Sequence, residues 1–168
     1  MGEIWDAYDK DEKKLGFDLV REEKIPDGAY HLVSETIIRH KDGTFLLMQR
    51  DWKKELFPGA WEVGSGGSAL KGETPDIAAR REVQEETGIV VKKLEELYII
   101  VSDKHQAVYH GYLSVTDCEK DSIILQEGET IDYKWVSKKE FIAFFDSDEF
   151  IGNQKVRMKG YVDSIRGN

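Results

Sequence analysis

Between residues 64 and 89 a glycine cluster, a helix and an acidic helix face follow in direct succession, and no other stretch restricts the fold of this chain as tightly. Gly64, Gly66 and Gly67 fall within four residues, a density that requires positive φ or close approach of the backbone to a neighbour. Thr74 is placed as an N-cap and Pro75 suits the first turn. Helix formers then run to Thr87, and Gly88 is placed to stop the helix. At 3.6 residues per turn Glu82, Glu85 and Glu86 stand at i, i+3 and i+4, so three carboxylates share one face within about one turn. Like charges at that spacing destabilise a helix by roughly a few tenths of a kcal/mol, and these sit where the macrodipole is already negative. A cation is needed there. Clustered carboxylates are hard oxygen ligands of the kind Mg²⁺ and Mn²⁺ take, and Mg²⁺ is usually held by one or two of them plus water and substrate phosphates. Ala78 and Ala79, one turn earlier, let a backbone or ligand lie close. Arg81 is i, i+4 to Glu85 and within reach of Glu73, a placement for orienting carboxylates. The glycine loop offers backbone carbonyls to a metal.

Around this centre the chain reads as alternating strands and helices. Residues 1–27 form an N-terminal extension, rich in Asp, Glu and Lys, with a short hairpin packed on the main domain by its aromatics. Residues 28–168 form that domain. Strands are expected over Ala29–Ile38 and Thr44–Gln49, joined at Lys41-Asp42-Gly43, and over Glu96–Ser102, Ala107–Ser114 and Tyr133–Val136. Ser137-Lys138-Lys139-Glu140 reads as a capping box opening a helix. A last amphipathic helix between about Phe150 and Ile165 is expected to turn Val156, Tyr161 and Ile165 inward. Phe57, Trp61 and Trp135 read as core. The economical architecture is α/β, a mixed sheet with helices on both faces.

Length and charge bound the remaining possibilities. A chain of 168 residues buries enough surface to hold one core without disulfides or a structural metal. Cys118 has no intrachain partner, which excludes a disulfide scaffold. The formal net charge of −9 argues against binding to nucleic acid polymers or anionic membranes. An anionic substrate would therefore need cations to screen its approach. The start lacks a basic n-region and an apolar h-region, and the longest aliphatic and aromatic run, Leu97–Val101, is far too short to span a bilayer. The expected location is the cytoplasm.

The segment Gly67–Ile89 resembles the Nudix box, G-x5-E-x7-R-E-U-x-E-E-x-G-U with U aliphatic, and Gly67, Glu73, Arg81, Glu82, Val83, Glu85, Glu86, Gly88 and Ile89 meet every specified position. The resemblance implies a Nudix-like sandwich of a mixed β-sheet between helices. It also implies a metal-dependent hydrolase that cleaves a diphosphate linkage in a small molecule, a nucleoside diphosphate derivative or related pyrophosphate. Under it Glu82, Glu85 and Glu86, with the Gly66 carbonyl, are ligands of Mg²⁺ or Mn²⁺, and Glu73 and Arg81 are the orienting pair. Glu127 is the first candidate for a further catalytic carboxylate from a later loop and Glu129 the second. Arg39, Arg50, Lys53 and Lys54 are candidate phosphate contacts. Two imitations overlap the box. Gly64-x-Gly66-x-x-Ala69 lacks the βαβ setting of a dinucleotide fingerprint, and Gly67-x4-Gly72-Glu73-Thr74 has Glu where a P-loop needs Lys. Tyr30-His31-Leu32-Val33, the Trp5 to Arg21 stretch and Phe57-Pro58-Gly59-Ala60-Trp61 resemble the isopentenyl diphosphate isomerase branch, in which a histidine at the position of His31 binds metal. Isomerases use a cysteine and a histidine ligand in the loop after the Trp61 strand, where this chain has Gly66 and Ser68. The alternatives to hydrolysis are thus an isomerase and a non-catalytic nucleotide sensor. Substrate identity and oligomeric state are open, a homodimer included.

Overall fold

Unbroken apolar runs in the first long strand and its neighbour, Ile37-Ile38 and Phe45-Leu46-Leu47-Met48, send successive side chains to opposite faces of the sheet, so both faces are buried. The computed structural model describes residues 2–167. β1 (Ile4–Tyr8) and β2 (Lys14–Val20) pair as an antiparallel hairpin. β3 (His31–His40) turns through Lys41-Asp42-Gly43 into β4 (Phe45–Arg50), the Asp42 carboxylate accepting from the Thr44 N–H at 2.9 Å and from its hydroxyl at 2.6 Å. β5 (Trp61–Val63) and β6 (Ser65–Ser68) follow, then α1 (Pro75–Thr87), β7 (Glu95–Ser102), β8 (Ala107–Thr116), β9 (Thr130–Val136), α2 (Lys138–Asp146) and α3 (Gln154–Ile165). The main sheet runs β5-β4-β3-β8-β7, with β6 added on β3 and β9 on β4. β3 and β8 are parallel and the other pairings antiparallel, so the sheet is mixed.

Odd positions face one helical layer and even positions the other. Ile37, Phe45 and Leu47 pack with Phe141 and Phe145 of α2 and Met158 and Val162 of α3. Ile38, Leu46 and Met48 pack with Val83 of α1 and with Ile89 and Val91 just after it. The result is an α/β sandwich of a mixed sheet between helices.

Helix ends largely follow their expected chemistry. The Ser137–Glu140 capping box is formed, and Gly88 closes α1 with a left-handed φ of 78°. Thr74 occupies the N-cap of α1 without capping it through its side chain, and its hydroxyl donates to Asp76 at 2.6 Å.

Three expectations need correction. Val156 is 76% exposed rather than inward. The buried stripe of α3 is Met158, Tyr161, Val162 and Ile165, at i, i+3, i+4 and i+7, and Val156 lies about 200° from Met158 on the helix wheel. Phe57, read as core, is 49% exposed. The glycines at 66 and 67 belong not to a free loop but to β6, paired with Glu35 and Ser34 of β3. Among the described residues no helix is long and apolar enough to cross a membrane.

Candidate active site

The geometry of the site starts from two alanines and a glycine. Ala78 and Ala79 are fully buried, which lets α1 lie close against β3 and β6. A Cβ on Gly67 would stand 2.3 Å from Oε1 of Glu82, so only glycine leaves room for that carboxylate against the strand. The acidic face of α1 is thereby pressed onto the glycine strand.

Arg81 organises the acidic face. Its Nε and Nη2 donate to the two oxygens of Glu73 at 2.6 and 3.0 Å. Its Nη1 donates to Glu82 at 2.8 Å and Glu85 at 3.2 Å, and Nη2 also reaches the Ser68 carbonyl at 3.1 Å. Glu73 in turn accepts from the Leu70 N–H at 2.9 Å. Burial pushes the Glu73 carboxyl up, but the Arg81 guanidinium and that N–H outweigh it and hold it below its ordinary range. The Glu73 pairing foremost, then that with Glu82, raises Arg81. Glu73 and Arg81 thus make the fork-to-fork contact their spacing suggests.

The carboxylates open into a cavity of about 530 Å³ lined also by Gly66, Glu35, Arg50, Lys54, Glu62 and Glu129. Its charges are almost all matched within the protein. Arg50 pairs with Glu62 at 3.2 Å, Lys54 with Glu129, Arg157 with Glu35, and Arg21 on the rim with Glu3 at 3.4 Å. Glu86 is the exception. It is 7% exposed, and among the described residues no Lys, Arg or His pairs with it, whereas every other carboxylate lining the cavity has such a partner. Burial, followed by the charges of Glu62 and Glu82, raises its carboxyl well above the ordinary value. Burial also raises Glu82 and Glu62, against the pull of Arg81 and Arg50 respectively.

The expected site residues fall into two groups. Gly66, Glu82, Glu85 and Glu86 line the cavity together with Arg81, and Glu73 lies behind them on Arg81. They are not a closed ligand cage. Among the described residues no three His, Cys, Asp or Glu side chains already converge on one point, because Arg81 draws Glu82 and Glu85 towards itself. Glu127, the first candidate from the later loop, is exposed and does not line the cavity, while Glu129 does. The turn Gln126–Glu129 sends one acid outward and the next inward. Arg50 and Lys54 line the cavity, but Lys53 points to solvent and Arg39 meets the Tyr161 hydroxyl at 3.5 Å. Glu62 and Glu35 escaped the sequence reading. Their signal was a charged residue inside a β-forming run, Trp61-Glu62-Val63 and Ser34-Glu35-Thr36.

The N-terminal hairpin closes one side. Trp5 stacks on His31 with ring centroids 4.2 Å apart, and both Trp5 and Arg21 line the cavity. Asp6 accepts from the Gly72 N–H at 2.8 Å, docking the hairpin on the loop before α1. Burial, then the charge of His105, lowers His31 to about 4, and its Nδ1 lies 3.3 Å from the Ser68 hydroxyl. Cys118 lies in separate recesses, one shared with His40, and does not line the carboxylate cavity.

Comparison with known proteins identifies the family that the chain resembles. The NUDIX domain profile matches residues 30–155. The chain is 36% identical over 150 residues to the uncharacterized Nudix hydrolase lmo0368 of Listeria monocytogenes, covering 89% of this chain and 88% of that protein. It is 28% identical over 147 residues to the isopentenyl-diphosphate Delta-isomerase of Corynebacterium diphtheriae, covering 82% and 80%. Its fold is similar to that of DR0079 from Deinococcus radiodurans, with a TM-score of 0.76 at 20% identity, covering 94% of this chain and 98% of that one. With most of its length under one domain profile, an intact box beside one cavity and a relative above 30% identity over most of both chains, the chain belongs to the Nudix hydrolase family.

Proposed function

We propose that this protein hydrolyses a diphosphate linkage in a nucleoside diphosphate derivative, with Mg²⁺ or Mn²⁺ held by Glu82, Glu85, Glu86 and the Gly66 carbonyl. The observation that carries the reading is Glu86, a buried carboxylate without a counter-charge in a cavity whose other acids are all paired. Leaving such a group ionised is costly unless a cation joins it. The donor set is all oxygen and suits a hard divalent ion. When bound, that ion neutralises phosphate charge and acidifies an attacking water.

The chain's own groups supply the rest. Arg81, anchored by Glu73, keeps Glu82 and Glu85 on the cavity side of α1. Arg50 and Lys54 offer cations for the diphosphate oxygens, each exchanging a carboxylate partner for phosphate as substrate enters. Glu129, which lines the same cavity, is the acceptor for the water proton in this reading, in preference to the outward Glu127. Glu129→Gln is expected to cut turnover by about 10²-fold or more, while Glu127→Gln leaves it within about twofold.

The isomerase reading is favoured by one observation, the similarity to the Corynebacterium diphtheriae isomerase. Against it, Gly66 and Ser68 stand where that chemistry needs a cysteine and a histidine ligand, and Cys118 lies outside the cavity. Product analysis decides. Nucleoside and prenyl diphosphates are incubated with wild type and Glu86→Gln in Mg²⁺, Mn²⁺ or chelator. Metal-dependent cleavage lost in the variant is the expected result. Isomerised prenyl diphosphate with its diphosphate intact would overturn it, and tight metal-dependent nucleotide binding without turnover would point to a sensor.

A further inference from the structure

The N-terminal hairpin is a sheet of its own, joined to the main sheet by no ladder beyond a single bridge between Tyr8 and Tyr30. It meets the domain along a seam of separate bonds. Tyr8 and Tyr30 exchange backbone hydrogen bonds at 2.9 and 2.8 Å, and the Lys71 N–H donates to the Ile4 carbonyl at 2.8 Å. The Gly72 N–H donates to Asp6 at 2.8 Å, and Lys71 pairs with Asp18 at 2.7 Å. Trp5, Ala7 and Leu19 pack with Ile25 and Leu70 beneath these bonds. Every hairpin residue in the seam belongs to β1 or β2. The open end of the hairpin brings Trp5 and Arg21 to the carboxylate cavity, and its turn, residues 9–13, lies at the opposite end.

That turn is built on Asp9, whose carboxylate accepts from the Asp11 and Lys13 N–H groups at 2.9 Å each. Within it Glu12 stands at a φ of +62°, a conformation that glycine adopts freely and that costs a residue with a Cβ free energy. A strained residue persists where its surroundings impose it, and here the surroundings are β8. The Glu12 carboxylate accepts a hydrogen bond from Nε2 of His110. Among the described residues this is the only hydrogen bond or ion pair that ties residues 9–13 to anything outside the hairpin. His110 is 6% exposed in the middle of β8, flanked by Ser34 of β3 and Ile99 of β7, with the Tyr112 ring stacked beside it. A buried imidazole needs a hydrogen-bond partner, and among the described residues Glu12 is the one group that supplies it. The strained carboxylate of the hairpin and the buried ring of the sheet thus answer each other.

We propose that Glu12 and His110 form a clasp that seats the hairpin, and that both are positioning residues for the substrate, acting through Trp5 and Arg21 at the cavity wall. The hairpin keeps its own shape through the β1–β2 ladder, so fixing its turn fixes the tilt of both strands and with it the place of the open end. Without the clasp the seam opens more often and the cavity loses that wall for part of the time. Affinity then falls by the fraction of molecules in which the wall is seated. This deepens, and rests on, the diphosphate-hydrolase reading above.

The test is NMR-detected hydrogen exchange of the seam amides, Tyr8, Tyr30, Lys71 and Gly72, alongside steady-state kinetics in Mg²⁺ on a diphosphate that the product analysis shows to be cleaved. Glu12→Gly removes the carboxylate and relieves the positive φ together, so it separates the clasp from the turn. In that variant the seam amides are expected to exchange at least about fivefold faster, while Asp11 and Lys13 within the turn exchange no faster than in wild type. KM is expected to rise by about threefold or more with kcat within about twofold. Glu12→Gln keeps an acceptor for Nε2 of His110 and is expected to stay within about twofold of wild type in both exchange and KM. A glutamate that served the turn alone would give Glu12→Gly an unchanged seam and an unchanged KM, and that result overturns the proposal. Faster seam exchange with an unchanged KM overturns it as well, since the wall would then not matter to substrate, and leaves hydrolysis standing. If no diphosphate is cleaved, the hydrolase reading fails separately and the seam amides decide the clasp. Faster exchange in Glu12→Gly, restored in Glu12→Gln, then supports it, and unchanged exchange overturns it.

Discussion

Replacing Arg81 by Met removes a guanidinium that satisfies two oxygens of Glu73, one each of Glu82 and Glu85, and the Ser68 carbonyl. The side chains of Arg81, Glu73 and Glu82 are 21%, 16% and 13% exposed, so the variant leaves two largely buried carboxylates without their counter-charge. Breaking a buried pair from one side costs about 3–5 kcal/mol. The residual exposure admits some water, which brings the expectation to about 2–4 kcal/mol. Had Arg81 been a surface i, i+4 partner of Glu85 alone, the figure would be about 0.3–0.5 kcal/mol. The assay is urea unfolding at pH 7 in chelator, so that no divalent ion takes the place of the guanidinium. With a slope of about 1–3 kcal/mol per molar, a 2–4 kcal/mol loss lowers the midpoint by about 1 M or more. In a chain of this size it lowers Tm by about 4–16 °C. Glu73→Gln in the Arg81→Met background should cost clearly less than in wild type, since the partner it loses is already gone. A loss below about 0.5 kcal/mol for Arg81→Met, or strict additivity of the two substitutions, would refute the reasoning.

The raised Glu86 carboxyl makes a signed prediction for stability. From its ordinary value of 4.5 upward to its higher folded value, the folded protein binds more protons than the unfolded chain, so this group lowers stability as pH rises through that window. In chelator Glu86→Gln is therefore expected to melt above wild type by a margin that grows as pH rises above the ordinary carboxylate value. Excess Mg²⁺ is expected to stabilise wild type far more than the variant, and a margin independent of pH would disprove the assignment. Gly67→Ala places a Cβ against the Glu82 carboxylate, and turnover should fall by at least about tenfold with far-ultraviolet dichroism unchanged; full activity would show that Glu82 can sit elsewhere. On α3, Met158→Ala should cost about 2–5 kcal/mol in thermal or urea unfolding and Val156→Asp almost nothing, an order that inverts if Val156 is the inward residue.

Much of the fold was legible because it rests on local rules. The Asp42-Gly43 turn, the Ser137–Glu140 box and the β-forming run over Ala29–Ile38 are short-range patterns, and each became the element its pattern implies. The phase of α3 was less legible, since Val156 and Met158 are both apolar and only packing against the sheet selects between them. The strand character of Ser65–Ser68 was hidden for a related reason. Glycine and serine have poor strand propensity, and this segment becomes a strand because β3 offers it a ladder.

The site divides along the same line. Spacing alone placed Glu82, Glu85 and Glu86 on one face, because the helical repeat is a property of the backbone and needs no partner, whereas Glu73 meets Arg81 from the loop before α1. The sequence by itself therefore determined the chemistry of one wall and the family that uses it. The opposite wall was decided by tertiary structure. Glu129 rather than Glu127 faces the cavity because of how the turn before β9 is set, and Glu62 enters through the register of β5 on β4. Arg157 meets Glu35 across 122 residues of sequence, a distance over which no local spacing rule operates. Contacts of that kind follow from strand order, register and helix docking, which the chain settles by burying its core as a whole.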